Sequence, residues 1–117
     1  MSLPPLTPEP VRTKAAGYLR AQNFDYTGKA IRFCREKGFS QGYLYSCLRH
    51  HFESGRKVYQ KWKQDDSELL PESIMHLNLE LSDTDIKEAY VQLNIVKPNR
   101  EKLHVGIHSH YRTPLPR

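Results

Sequence analysis

The hydrophobic positions follow two different periods along the chain. Val11, Ala15, Tyr18 and Leu19 recur at helical spacing, which predicts a first helix opened by Thr7 as N-cap and Pro8 in the first turn. The stretch Asn23-Phe24-Asp25-Tyr26 breaks that period. Thr27 then caps a second helix over Lys29 to Lys37, with Ala30, Ile31, Phe33 and Cys34 as its apolar side and Gly38 as a left-handed stop. Ser40 opens a third helix whose inward stripe is Leu44, Cys47, Leu48 and Phe52. Gly55 weakens or kinks it, and Val58, Tyr59 and Trp62 continue at helical spacing, so helix is expected as far as residue 64. The polar run Lys63 to Glu68 and the connector Leu69 to Glu72 close this half.

From residue 74 the period becomes two. Met75, Leu77, Leu79 and Leu81 form one apolar set, Ala89, Val91, Leu93 and Ile95 a second, and Leu103, Val105 and Ile107 a third. Polar residues alternate with them, and Ser82 to Asp85 and Lys97 to Glu101 separate the runs, which predicts an antiparallel meander with one oily face. Matching the inward residues pairs Leu79 with Ala89, Leu77 with Val91, Val91 with Ile107 and Leu93 with Val105. The expected fold is therefore α+β: a layer of three to four helices packed on a three-stranded antiparallel β-meander. One domain spans residues 1–117, with a helical half at 8–64, a sheet at 74–112, and loose tails at 1–7 and 113–117.

Composition narrows the class. A chain of 117 residues, 26% charged and 38% hydrophobic, suits one globular core. No apolar run approaches the roughly 20 residues of a membrane span, and no signal-peptide apolar segment opens the chain. The expected location is intracellular, in the cytoplasm or, in a eukaryote, the nucleus, with no membrane partner. Cys34 and Cys47 read as reduced thiols, and their spacing to His50 and His51 matches no common zinc pattern. Charge is uneven: residues 1–64 carry 12 Lys and Arg against 4 Asp and Glu, and residues 65–117 carry 6 against 9. A basic half beside an acidic half suggests nucleic acid, an acidic protein surface, or a second copy of the chain as partner.

Residues 29–50 also carry a helix, a glycine turn and a helix, with Cys34, Gly38, Leu44 and Cys47 where two closely crossing helices need small or apolar residues. The stretch resembles a helix-turn-helix, and two packed core helices joined by a glycine look the same. In the first reading Gln41 and Tyr45 contact bases, and Arg32, Arg35, Arg49, Arg56, Lys57, Lys61 and Lys63 hold phosphates, with Lys37 beside them.

The polar face of the sheet supplies a second candidate. The expected register puts Glu80, Glu88 and His110 in one outward row, Asn78, Tyr90 and His108 in the next, and His76, Gln92 and Gly106 in a third. His108 and His110 lie two apart on one strand face, so both rings can reach one metal, with Glu80 and Glu88 as further ligands. Alternatively His108, His110 and Tyr90 supply acid–base chemistry for phosphodiester cleavage. A solvated face calls for the same residue types. Gly106 leaves a gap where a ligand or a backbone can approach.

Helices followed by an antiparallel sheet whose last strand holds His and Tyr, over Tyr90 to Tyr111, look like the bacterial ribonuclease toxins of the RelE class. Those toxins begin with a strand, which the periodicity here does not predict. The resemblance implies RNA cleavage by His110, Tyr111 and Arg112. No phosphate-binding glycine loop, nucleophile elbow or metalloprotease motif is present. The leading expectation is a nucleic-acid-binding accessory or regulatory protein with no cofactor, using the basic helical half. The alternatives are a RelE-like nuclease and a non-enzymatic protein-interaction module docking through the edge of the first or third strand.

Overall fold

A computed structural model describes residues 3–63, 65, 67–96, 98–108 and 115–116. Three helices and four strands follow in the order α1 (Glu9–Arg20), β1 (Phe24–Tyr26), α2 (Gly28–Lys37), α3 (Gln41–Glu53), β2 (Ile74–Glu80), β3 (Ile86–Val96) and β4 (Arg100–Ile107). The strands form one mixed sheet in the order β1-β4-β3-β2. β2–β3 and β3–β4 are antiparallel, and β1 lies parallel to β4. The fold is thus α+β as expected, with two corrections: the sheet has four strands, and it is not a pure meander. The added strand is the stretch that had read only as a break. Three residues are too few to display a period, and β1 is recruited by the edge of β4 through the pairs Phe24↔Leu103 and Tyr26↔Val105.

Local chemistry places the helix ends. The side chain of Thr27 accepts a hydrogen bond from the Ala30 N–H and that of Ser40 from the Tyr43 N–H, relieving donors left unpaired at the starts of α2 and α3. Gly38 stops α2 at φ 75°, where its N–H still reaches Cys34 O. At α1 the expected cap is corrected. Pro8 occupies the N-cap position, and the backbone N–H of Thr7 instead donates to Val58 O at 3.0 Å. The Arg12 guanidinium donates to Arg56 O at 2.6 Å and Phe52 O at 3.1 Å, placing a cation at the carbonyl end of α3 and tying α1 to it.

The third helix also ends earlier than its periodicity suggests. Gly55 takes φ 74° and turns the chain. Residues 58–60 then run extended beside β2, with Tyr59 and His76 exchanging two backbone hydrogen bonds at 2.8 Å. Residues 5–7 cover that segment in turn, and Gln60 N donates to Pro5 O at 2.9 Å. Both edges expected to dock a partner strand are therefore covered in part, β2 at His76 by Tyr59 and β4 at Leu103 to Val105 by β1.

The core lies between the helices and the inner sheet face. Ala15, Leu19, Ala30, Leu44 and Leu48 pack against Met75, Leu77, Leu79, Ala89, Val91, Leu103 and Val105, and each of these side chains is fully buried. The expected inward set holds except at Ile95, which is 67% exposed, but the register is displaced by two residues in both antiparallel pairs. Leu77 faces Ala89, Met75 faces Val91, Val91 faces Val105 and Leu93 faces Leu103. A two-residue slip leaves every side chain on the same face, so burial alone cannot choose between these registers.

Candidate functional site

The corrected register rebuilds the outer sheet face. Asn78 faces Glu88, and the backbone N–H of His108 donates to Glu88 O at 3.1 Å. His76 faces Tyr90, which faces Gly106. Glu88 thus stands on β3, with His76 arriving from β2 on one side and His108 from the end of β4 on the other. Lys61 reaches over from the segment that follows residues 58–60. Its ammonium donates to both Glu88 carboxylate oxygens, at 2.8 and 2.7 Å. His108 Nε2 lies 3.1 Å from Glu88 Oε2 and 3.2 Å from His76 Nδ1, and His76 Nδ1 lies 4.0 Å from the same carboxylate oxygen. The two imidazoles stack with centroids 5.3 Å apart, and Tyr90 flanks both.

This group is not a solvated face. His76 is 3% exposed and Lys61 4%. The hairpin after residue 60 covers one side, and Asn78 Nδ2 donates to Leu115 O at 3.3 Å from the chain's last described segment. Burying an ion pair costs desolvation that only good geometry and further hydrogen bonds offset. Here Glu88 accepts both Lys61 contacts and lies against His108. Gly106 does not leave a gap either. A Cβ built there would lie 2.2 Å from Tyr90 ring carbons, so the tyrosine ring fills the space.

Among the described residues, one group of three or more His, Cys, Asp or Glu brings its ligand atoms within 4.8 Å of one another: His76, Glu88 and His108. Two of its members, Glu88 and His108, were legible as candidates. Glu80 is elsewhere, opposite Ile86 and ion-paired with Arg56. His110, Tyr111 and Arg112 lie outside the described residues. His76 and Lys61 went unrecognised. His76 had the right face parity but the wrong row, and Lys61 was assigned to a helix that does not extend that far.

The cations of the basic half divide into two groups. Arg49 pairs with Glu53, Arg56 with Glu80 and Lys63 with Glu68. Lys61 is a correction, since it is buried on Glu88 and cannot reach a phosphate backbone. Tyr45 donates its hydroxyl to Leu19 O at 2.7 Å and stacks on Phe24 at 5.3 Å, which commits the ring to packing. Arg32, Arg35, Gln41 and Lys57 are exposed. Arg32 lines a groove of about 510 Å³ together with Lys29, Phe33, Glu36, Lys37 and Lys87. The Lys87 ammonium sits 5.8 Å from the Phe33 ring centre. Among the described residues, no carboxylate lies within ion-pair distance of Lys29, Arg32, Lys37 or Lys87.

Comparison with protein-family models, with curated proteins and with solved structures returned no match.

Proposed function

We propose that this chain binds nucleic acid through the α2 groove, holding phosphates with Lys29, Arg32, Lys37 and Lys87 beside the face of Phe33. The observation that carries this reading is charge left uncompensated in one place. Four cations and one acid line the groove, while Arg49, Arg56, Lys61 and Lys63, all the cations of α3 and the segment after it except Lys57, pair with Glu53, Glu80, Glu88 and Glu68. A groove with unneutralised cations and an aromatic ring suits a phosphate backbone and one unstacked base. The reading departs from a helix-turn-helix dock, in which the second helix of the pair enters the groove of the duplex. The exposed positions of α3 are Gln41, Gly42, Tyr43, Ser46, His50 and Glu53, which include no lysine or arginine.

The test is a fluorescence-anisotropy titration of labelled duplex DNA, single-stranded DNA and RNA at 50 and about 200 mM salt. Affinity that falls steeply with salt is expected, with the rank of the three ligands naming the substrate class. No binding of any of them at low salt would sink the proposal.

A second reading rests on the outer face. There His76, Glu88 and His108 converge beside Tyr90, a set able to move protons in phosphodiester cleavage, whereas β1 follows α1 and does not lead the fold as the first strand of RelE-class toxins does. Cleavage of RNA without added metal, lost in His108→Ala, would favour it over binding alone.

A further inference from the structure

From the outer face of the sheet we infer a binding site for one divalent transition-metal ion, of the zinc class, held by His76 Nδ1, Glu88 Oε2 and His108 Nε2. The three atoms are separated by 3.2, 3.1 and 4.0 Å. A tetrahedral ion with bonds of about 2.0 Å, the length of zinc–imidazole and zinc–carboxylate bonds, spaces its ligand atoms about 3.3 Å apart, so the 3.2 and 3.1 Å separations fit and His76 and Glu88, now 4.0 Å apart, close by about 0.7 Å on binding. Calcium prefers about 2.3–2.6 Å and oxygen ligands only, and magnesium likewise avoids imidazole, so the donor set selects a borderline transition metal. Among the described residues, two imidazoles and one carboxylate supply three of the four ligands that zinc takes.

The scaffold is suited to holding such an ion. His76 and Glu88 come from the paired strands β2 and β3, and His108, the residue after β4, is tied to β3 by its backbone N–H to Glu88 O at 3.1 Å. Lys61 need not leave. A carboxylate offers about four lone-pair sites, so the ammonium keeps Oε1 while the metal takes Oε2. Lys61 then acts as a positioning residue that holds the carboxylate plane.

His76 Nδ1 and His108 Nε2 are in hydrogen-bond contact at 3.2 Å, which requires a proton on one of them. The ion takes the lone pair of each nitrogen. That proton passes either to the other nitrogen of its ring or to solvent. A metal on His108 Nε2 also removes that nitrogen from proton transfer. Metal loading and metal-free cleavage by His108 are therefore opposed outcomes.

The experiment uses the full chain, stripped with a chelator and titrated with Zn²⁺ by calorimetry and with Co²⁺ by visible absorption. One equivalent is expected, with the intense visible bands of four-coordinate cobalt, and X-ray absorption of the zinc form should count two imidazoles. Glu88→Gln and His108→Ala should each weaken uptake by more than the roughly 10- to 100-fold that loss of a supporting partner costs. Absence of stoichiometric uptake overturns the site, and so does uptake that both variants retain. Should either variant fail to fold, the cobalt spectrum and the imidazole count of the wild-type chain decide alone. Failure here leaves the nucleic-acid proposal standing, because the anisotropy titration reads the α2 groove and not this cluster.

Discussion

Position 106 accepts a glycine and little else, because the Tyr90 ring lies where a β-carbon would be. Gly106→Ala should destabilise the fold by about 1–3 kcal/mol, the usual cost of forcing a packed group aside. Combined with Tyr90→Ala, the same change should cost less than the sum of the two single substitutions, since the clash is gone. Chemical denaturation of the four proteins measures this coupling, and strict additivity would contradict the contact. Lys61 supplies a second residue-level test. Removing it as Lys61→Met leaves the Glu88 carboxylate buried without its cation, which costs about 3–5 kcal/mol in comparable buried pairs. The double change Lys61→Met with Glu88→Leu should recover most of that loss, because an apolar pair has no desolvation to offset. A double variant as unstable as the single one would show that the ion pair itself is needed.

At the scale of elements, α3 buries a histidine whose protonation opposes folding. His51 is buried, its Nε2 contacts Lys57 O at 3.0 Å, and its Nδ1 has no hydrogen-bond partner among the described residues. Burial lowers its pKa to about 4, with Arg12 and Arg56 opposing a further positive charge. The unfolded chain binds this proton near pH 6.5 and the folded chain only near 4, so unfolding takes up a proton between those values. Stability from this group is complete above pH 6.5 and falls as the pH drops toward 4, by on the order of 3 kcal/mol. Urea midpoints measured from pH 7 to 4.5 should show that fall, and His51→Leu should flatten it whatever its effect at neutral pH. An unchanged profile in the variant would sink the assignment. Sequence was a good guide at this scale where one residue carries the information. Thr27, Gly38 and Ser40 each do at α2 and α3 what their chemistry dictates. It failed where two structures share one pattern. Val58, Tyr59 and Trp62 suit a helix, but Gly55 at φ 74° redirects the chain, and the β2 edge offers Tyr59 backbone partners. β1 gave no signal because its partner lies some 80 positions away, at Leu103 to Val105.

Across the whole molecule, the layering and the inward residues followed from periodicity, whereas the candidate site depended on register. A slip of two moves no side chain between core and surface, yet it decides whether Glu88 stands beside Glu80 or between His76 and His108. The uneven charge was visible in composition, but its location was not. Pairing with Glu53, Glu80, Glu88 and Glu68 cancels much of the basic half, and Lys87 on β3 joins α2 from outside it. The most direct test of this account is the salt dependence of nucleic-acid binding in Arg32→Gln with Lys87→Gln, set against Lys14→Gln, whose cation already pairs with Glu101 at 3.0 Å. The groove variant should bind more weakly, with a log–log salt slope on duplex DNA shallower by about 2, while the Lys14 variant keeps the wild-type slope. A groove variant with wild-type affinity and slope would contradict the account.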